Sequence, residues 1–170
     1  MRYRFVLVSS LLAVLSVVGA CGKEIGDACV ISTDCDPNGA RLCDPASIGG
    51  YCTIQGCDVS TCPGESVCVR FFTGSFSNKD CDHTDPGDAC SFDELCALDD
   101  HCVARSSEVR FCMRKCGSSG DCRGDENDDG KSDYECRDLD KMKLHGGEPV
   151  LDPGAVVDER SPKFCAASPP

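Results

Sequence analysis

The sequence contains no tryptophan, three tyrosines and three histidines. Leu, Ile, Val and Phe together make up about a sixth of the residues after position 20. The net charge is −12, a balance that disfavours nucleic acid as a partner. A chain with so few apolar groups and so much charge does not offset its conformational entropy by hydrophobic burial alone. A stable fold of this chain therefore requires covalent cross-links.

The sequence lacks several common catalytic and metal-binding motifs. No two of the 17 cysteines form a Cys-x-x-Cys pair, which excludes zinc-ribbon spacing and a thioredoxin-like redox pair. No serine lies in a Gly-x-Ser-x-Gly context. His83 and His101, which lie near Cys81 and Cys102, are interpreted as chance neighbours rather than metal ligands. We therefore expect a protein that is not an enzyme and needs no cofactor.

The first 20 residues have the layout of a secretory signal peptide. Arg2 and Arg4 precede the uncharged run 5–20, which is rich in Leu and Val, and small residues follow at the expected cleavage site. A retained transmembrane helix is the weaker alternative, because this run is shorter than the roughly 20 residues that span a bilayer. The sequence predicts export of residues 21–170.

The cleavage site itself has a distinctive sequence, Val18-Gly19-Ala20-Cys21. It resembles the lipobox of bacterial lipoproteins, a family in which a diacylglycerol is attached to the cysteine thiol and the signal is removed just before it. The resemblance implies lipidation of Cys21, a tether over 21–25, and anchoring to the cell envelope, at the outer membrane or cell surface. The alternative is ordinary secretory cleavage, which would leave Cys21 as a spare thiol.

The odd number of cysteines favours lipidation. An odd thiol in an exported protein needs an explanation, and assigning Cys21 to a thioether leaves an even set, of a density typical of disulfide scaffolds. Export provides the oxidising compartment in which disulfides persist, so we expect a fold that survives heat and is lost on reduction. The predicted disulfide cysteines, with their pairing left open, are Cys29, Cys35, Cys43, Cys52, Cys57, Cys62, Cys68, Cys81, Cys90, Cys96, Cys102, Cys112, Cys116, Cys122, Cys136 and Cys165.

An internal repeat organises the chain. The sequence Gly-Asp-Ala-Cys occurs at 26–29 and again at 87–90, and eight cysteines follow from each start. An aromatic residue precedes the fourth cysteine of each copy, Tyr51 in one and Phe111 in the other. This pattern predicts two tandem modules, 26–81 and 87–165, with a linker at 82–86, a tail at 166–170 and bridges that close inside each module. A single interleaved knot is the alternative.

The whole pattern is similar to the repeated cysteine-rich modules of uncharacterised bacterial surface lipoproteins. In these modules Gly-Asp-x-Cys opens the module and an acidic residue precedes the second cysteine, as Asp34 does here. The resemblance implies a small disulfide-rich fold but little about function. An epidermal-growth-factor-like module fits less well, because its Cys-x-Cys is missing.

Secondary structure is expected to be sparse, with short β-hairpins, long loops and little helix. The best predicted strand is 66–72, which is rich in Val and Phe. The segments 51–54 and 109–113 are predicted to be short paired strands, and 93–99 is predicted to form one helical turn. Phe71, Phe72 and Phe76 form the strongest apolar cluster after position 20, which we expect to pack inward rather than to form an exposed contact surface.

One acidic segment predicts a calcium site. The sequence 125–135 is similar to the calcium loops of EF-hand, dockerin and thrombospondin type 3 proteins, and a glycine, Gly130, stands where such loops turn sharply. The candidate ligands are Asp125, Asn127, Asp129, the Lys131 carbonyl, Asp133 and Glu135. Cys136 stands where the bidentate acid of such loops is expected, so Glu135 is one residue early. The alternative is a solvated acidic insertion.

Two functions remain for the chain. The first is a membrane-anchored, non-enzymatic module of the cell envelope that binds a protein, glycan or ion, or stiffens the envelope. The second is a disulfide-framed protease inhibitor that presents the loop 70–79 to a protease.

Overall fold

The computed structural model describes residues 22–74, 79–85, 90–125 and 130–169. The elements within these ranges are short. They are α1 (Ser32–Cys35), β1 (Leu42–Asp44), β2 (Tyr51–Thr53), β3 (Ser66–Phe72), β4 (Glu94–Cys96), β5 (Cys102–Ala104), β6 (Glu108–Arg114), β7 (Tyr134–Arg137), α2 (Leu139–His145), β8 (Glu148–Pro149) and β9 (Phe164–Ala167), with two 3₁₀ turns at Arg105–Ser107 and Ser119–Asp121. The predicted small disulfide-rich class, with short hairpins and little helix, is confirmed.

All sixteen cysteines from Cys29 to Cys165 are joined in eight disulfides, and these form four groups of four. In each group, which we call a four-cysteine unit, the first cysteine pairs with the third and the second with the fourth. Unit 3 lies between the third and fourth cysteines of unit 2. Unit 1 contains Cys29–Cys43 and Cys35–Cys52, unit 2 Cys57–Cys68 and Cys62–Cys112, unit 3 Cys81–Cys96 and Cys90–Cys102, and unit 4 Cys116–Cys136 and Cys122–Cys165.

The third and fourth cysteines of every unit face each other on two paired antiparallel strands. These facing pairs are Cys43 and Cys52, Cys68 and Cys112, Cys96 and Cys102, and Cys136 and Cys165. The two disulfides of a unit therefore start from facing residues of the two strands. They connect these strands to the loop that carries the first and second cysteines. An isolated two-stranded hairpin is at best marginally stable in water, so the bridges provide the stability that the small core lacks.

The expectation that all bridges close inside the modules 26–81 and 87–165 is wrong. Cys62–Cys112 and Cys81–Cys96 each join one range to the other. Strand β3 of the first range is also the centre of a three-stranded sheet in the order β6-β3-β8, whose other two strands belong to the second range. The four-cysteine unit therefore describes the pairing better than the sixty-one-residue repeat.

That repeat superimposes cysteines with different structural positions. Cys29 is the first cysteine of unit 1, whereas Cys90 is the second cysteine of unit 3. The predicted correspondence of the two aromatic residues is nevertheless correct, because each precedes a fourth cysteine. A side chain with a ring holds this position in all four units, namely Tyr51, Phe111, His101 and Phe164.

The strand predictions have mixed outcomes. The predicted strand 66–72 is confirmed as β3, which is paired with β6 over its whole length. The segments 51–54 and 109–113 overlap β2 and β6, but β2 pairs with β1. The two segments meet through an isolated bridge between Gln55 and Phe111 and a hydrogen bond from the Thr53 hydroxyl to the Cys112 carbonyl. The predicted helical turn at 93–99 is wrong. The residues 94–96 form β4, because they pair with β5 across the facing cysteines of unit 3.

The largest core joins units 1, 2 and 4 and includes Leu98 of unit 3. Tyr51, Val69, Tyr134 and Phe164 are almost fully buried at its centre, together with several of the cysteines. Phe71 is half-buried against this core and Phe72 against a smaller cluster formed by unit 3. The inward packing that was predicted for the phenylalanines therefore holds for these two, while Phe76 lies outside the described residues.

No helix within the described ranges is long and apolar enough to cross a membrane. The predicted signal segment and Cys21 lie outside those ranges.

Candidate functional site

The acidic insertion lies between the second and third cysteines of unit 4. The structure describes Asp125, Lys131, Asp133 and Glu135 of the predicted calcium ligands, while Asn127 and Asp129 lie outside the described residues. The backbone N–H of Gly130 donates to Asp125 Oδ2 at 2.5 Å, so this carboxylate already binds the chain across the insertion.

Asp133 lies at the base of the insertion, where the chain returns to the body of the protein. Its side chain is buried, with the residue only 7% exposed. Its backbone N–H donates to the Gly124 carbonyl at 3.2 Å, and its own carbonyl accepts from the N–H of Ser168 at 2.8 Å. The base of the insertion is therefore fixed by backbone hydrogen bonds, and the calcium site remains a prediction.

Glu135 lies among three basic side chains of β7 and α2. Its carboxylate accepts from His145 Nδ1 at 2.6 Å and from Arg137 Nε at 3.2 Å, and Lys141 Nζ lies 3.4 Å from the other oxygen. Burial by itself raises the pKa of Glu135, but the hydrogen bond from His145 and the nearby cations outweigh it, and the pKa is lowered. A calcium ion that used Glu135 would have to replace these partners.

The segments around residues 80–83 and 99–101 lie side by side, and His83 and His101 each contact an aspartate of the other segment. His83 Nδ1 lies 2.5 Å from Asp100 Oδ1, and His101 Nε2 lies 3.7 Å from Asp80 Oδ1. The His83 hydrogen bond is the largest cause of the lowered pKa of Asp100. The sequence did not predict these pairs, because each joins residues about 20 positions apart and the histidines were interpreted as chance neighbours of cysteines.

A further aspartate brings three metal-ligating side chains together at the same place. Ligand atoms of Asp82, His83 and Asp100 lie within 4.8 Å of one another. Asp82 Oδ1 accepts from the backbone N–H and the hydroxyl of Thr84 at 2.9 and 2.6 Å. Because Asp100 Oδ1 also accepts from His83, these carboxylates are engaged in local hydrogen bonds that fix the turn after Cys81.

Phe71 contributes to the walls of two cavities. The first has a volume of about 380 Å³, and its wall combines apolar side chains of units 2 and 3 and of α2 with charged groups that include Asp99, Lys143 and Glu148. The second has a volume of about 360 Å³ and includes Tyr51, Phe111 and Arg137 in its wall. Apolar walls with a few charged groups are typical of small-ligand sites.

Glu148 is the most deeply buried acidic side chain at these cavities. It is 4% exposed, and its carboxylate accepts from Arg70 Nε at 2.8 Å. Burial is the largest influence on Glu148 and raises its pKa, against the lowering effect of the Arg70 cation. Arg70 lies on β3 and Glu148 on β8, so this ion pair connects the central strand of the sheet to an edge strand.

The same ion pair bears on the protease-inhibitor alternative. Arg70 lies in β3, which has a paired strand on both sides at this position. A residue held in a central strand by a buried acid is not displayed on a convex loop for a protease cleft. Of the predicted loop 70–79, the residues 75–78 lie outside the described ranges, so the alternative stays a prediction that inhibition assays against a protease panel would test.

The structure also reveals a short motif that the sequence analysis did not recognise. Cys-x-x-Ser-x-Asp-Cys occurs at 29–35 in unit 1 and at 116–122 in unit 4. The aspartates, Asp34 and Asp121, each accept two backbone N–H groups at the start of the loop between the first and second cysteines. An alignment on this motif, rather than on Gly-Asp-Ala-Cys, would have superimposed equivalent cysteines.

No family model matches this chain, and neither the curated proteins nor the solved structures include one that is significantly similar to it. Function is therefore inferred from the residues of this chain alone.

Proposed function

We propose that this protein is a lipoprotein of the bacterial cell envelope, anchored through lipid on Cys21. Its body acts as a non-enzymatic binding or structural module. The observation that carries the proposal is the use of the cysteines. Eight disulfides pair the sixteen cysteines from Cys29 to Cys165, and the chain has 17. No cysteine of the chain is left to pair with Cys21, which follows Val18-Gly19-Ala20.

The density of disulfides indicates an extracellular or exported protein, because such bridges persist in oxidising compartments. Lipid attachment would then hold the body at a membrane surface. One acyl chain gives only marginal membrane binding, whereas two or more give stable anchoring, so the diacylglycerol implied by the lipobox resemblance is sufficient. The outer membrane or the cell surface is the proposed location.

A binding role is supported by the cavities beside Phe71 and by the rigidity that eight bridges give to their walls. A rigid site binds with a smaller loss of conformational entropy than a flexible one. The partner is an unidentified protein or glycan. A non-enzymatic role is supported by the sequence, which contains neither a Gly-x-Ser-x-Gly motif nor a Cys-x-x-Cys pair.

Replacement of Cys21 by alanine tests the anchor. The wild-type protein should fractionate with membranes and give an intact mass that includes a diacylglycerol thioether. The Cys21→Ala variant should keep all eight disulfides and give an intact mass without the diacylglycerol. A matched control is the Cys62→Ala/Cys112→Ala variant, which loses a disulfide but should stay on the membrane. A wild-type protein with an unmodified Cys21 thiol would contradict the proposal.

Calcium binding by the acidic insertion is proposed as a stabilising addition to this function. Extracellular calcium modules bind with dissociation constants of about 0.1–1 mM, so calorimetric titration of the mature protein should produce heat in the millimolar range. Asp125→Asn should abolish that heat, while Asp152→Asn, which alters an acidic residue outside the insertion, should leave it unchanged. Absence of heat with the wild-type protein would remove calcium from the proposal.

A further inference from the structure

The two loops with the shared Cys-x-x-Ser-x-Asp-Cys motif have the same local hydrogen bonding. In unit 1, Asp34 Oδ2 accepts the N–H groups of Val30 and Ile31 at 2.9 and 3.1 Å. In unit 4, Asp121 Oδ2 accepts those of Gly117 and Ser118 at 2.8 and 2.9 Å. A short helical turn follows in each loop, and the flanking cysteines are in disulfides. The backbone is therefore constrained at the two residues that follow the first cysteine of each motif.

The side chains at these two positions differ between the loops. Unit 1 has Val30 and Ile31, which are 83% and 58% exposed, whereas unit 4 has Gly117 and Ser118. The unit 4 loop forms its two hydrogen bonds to Asp121 without an apolar side chain at either position. The aliphatic pair of unit 1 is therefore not needed for the geometry of the loop, and within the described residues it is not buried.

The apolar pair lies beside the start of the mature chain. A Cβ on Gly22 would lie 2.9 Å from the carbonyl oxygen of Cys35, so the chain passes directly against the last residue of α1. This helix has four residues, and with a rise of about 1.5 Å per residue Ile31 lies roughly 10 Å from Gly22.

The tether is held in this position by two further contacts. The Arg41 guanidinium donates to the carbonyl of Lys23, and Lys23 Nζ donates to the carbonyl of Ala28 at 2.7 Å. Residues 22–23 are thus fixed to unit 1. If lipid is attached to the preceding residue, the membrane surface lies close to the loop that carries Val30 and Ile31.

We infer that the Val30–Ile31 loop inserts into the interfacial region of the bilayer beside the lipid anchor, and so fixes the orientation of the body on the membrane. This inference rests on the proposed lipidation of Cys21. Aliphatic side chains gain by transfer from water to the acyl boundary. The net charge of −12 opposes attraction to anionic headgroups, so the contact is hydrophobic and should withstand high salt.

Tryptophan fluorescence tests the contact, because the chain has no tryptophan of its own. The lipidated protein, with its acylation verified by intact mass, is reconstituted in phosphatidylethanolamine–phosphatidylglycerol vesicles as Ile31→Trp or as Ser118→Trp. These are equivalent positions of the two loops. Brominated acyl chains should quench the tryptophan at 31 about two-fold or more and shift its emission to the blue, while the tryptophan at 118 should emit as it does in water.

A double variant tests the same contact without a new aromatic group. Val30→Gly/Ile31→Ser gives the unit 1 loop the residues of the unit 4 loop, so the fold and all disulfides should be retained. Transfer of the lipidated variant from donor to acceptor vesicles should be about ten-fold faster than transfer of the wild type, and 1 M salt should not accelerate transfer of the wild type.

The two hypotheses fail in different ways. An intact mass without lipid contradicts the proposed function, whatever the fluorescence shows. Equal quenching at positions 31 and 118 on a lipidated protein, or unchanged transfer of the double variant, contradicts the membrane contact and leaves the anchor in place. Quenching at position 31 that disappears when another envelope protein is added would assign the loop to a protein partner instead, and this also contradicts the contact.

Discussion

Tyr51 and Tyr134 stack on each other with their ring centroids 5.7 Å apart and their planes inclined by 26°. The guanidinium of Arg123 lies over both rings, 4.3 Å from the centroid of Tyr134 and 5.8 Å from that of Tyr51. Burial is the main cause of a rise in the pKa of Tyr51 to about 12, so this phenol stays protonated in any ordinary buffer. The stack joins unit 1 to unit 4 where no disulfide connects them.

Removal of the Tyr134 ring should therefore weaken the junction between the two units. Tyr134 is 1% exposed, and its hydroxyl donates to the Ile48 carbonyl at 2.7 Å. We expect Tyr134→Ala to reduce the free energy of unfolding by about 3–5 kcal/mol, because it opens a cavity in the core. Tyr134→Phe keeps the stack and should cost only about 1 kcal/mol. Urea unfolding with disulfides intact measures both, and equal losses would show that the ring contributes little.

The disulfide Cys62–Cys112 should stabilise the fold more than its partner in unit 2. It closes a loop of 50 residues, whereas Cys57–Cys68 closes a loop of 11. In the loop-closure model these lengths correspond to about 4 and about 3 kcal/mol. Replacing each pair of cysteines by alanines and comparing urea midpoints tests the difference.

Peptide mapping of the unreduced protein provides the matching covalent test. Fragments linked through Cys62–Cys112 and through Cys81–Cys96 distinguish the four-cysteine units from two separately closed modules. Linkages confined to 26–81 and to 87–165 would contradict the structure.

Glu148 should make the stability of the protein fall as pH rises from acid to neutral. Its folded-state pKa lies above the ordinary value of 4.5 because the carboxyl is buried. Its contribution is therefore complete below pH 4.5 and is lost as pH rises through the folded-state pKa. Glu148→Gln removes this titration and still offers an oxygen to Arg70, so the variant should gain stability relative to wild type as pH increases.

The control for this prediction is Glu148→Ala, which removes the acceptor altogether. It should cost about 1–3 kcal/mol, because Arg70 then loses its hydrogen-bond partner in a partly buried position. Urea unfolding of the three proteins in a pH series that begins below 4.5 gives the comparison. A constant difference between wild type and Glu148→Gln would contradict the raised pKa.

Asp34 should protect two backbone amides only while it is ionised. Hydrogen bonds from the N–H groups of Val30 and Ile31 are the main causes of its lowered pKa, relative to 3.8 for the free side chain. Its contribution is present above pH 3.8 and is lost as pH falls through the folded-state pKa. Asp34→Ala should accelerate hydrogen exchange at these amides several-fold near neutral pH, as measured by NMR.

Asp121→Ala offers an internal comparison in unit 4, where the same effect should occur at the amides of Gly117 and Ser118. Each variant should leave exchange in the other loop unchanged. Acceleration in both loops with either variant would indicate global destabilisation rather than loss of a local cap.

The sequence predicted the disulfide class, the number of bridged cysteines and the strand β3, because composition and alternation report directly on these features. It did not predict the pairing. Eight cysteines in each assumed module permit 105 arrangements, and the choice among them is made by strand register, which is a long-range property. Cys68 faces Cys112 only because β3 pairs with β6, and these two strands are separated in the sequence by the whole of unit 3.

The repeat misled for a related reason. Gly-Asp-Ala-Cys is four identical residues, but Cys29 and Cys90 have different positions in their units. The better guide, Cys-x-x-Ser-x-Asp-Cys, also has four identical residues, and these have a physical role, since the aspartate binds the backbone of its own loop. The ion pair of Arg70 and Glu148 joins residues 78 positions apart, and no local pattern predicts a contact of that kind.

The insertion of unit 3 into unit 2 has a consequence for how this chain can be altered. Phe72 and Glu108 are the last partners of the β3–β6 pair, so the two ends between which unit 3 is inserted are neighbours across one pair of strands, about 5 Å apart. A tight turn could close that gap, and a different small domain could be grafted there without changing the register of the sheet. Leu98 of unit 3 is buried in the largest core. A domain that replaced unit 3 would therefore need an apolar side chain in the position of Leu98. This end of the sheet is therefore the natural point for exchanging cassettes, in a laboratory or over evolutionary time.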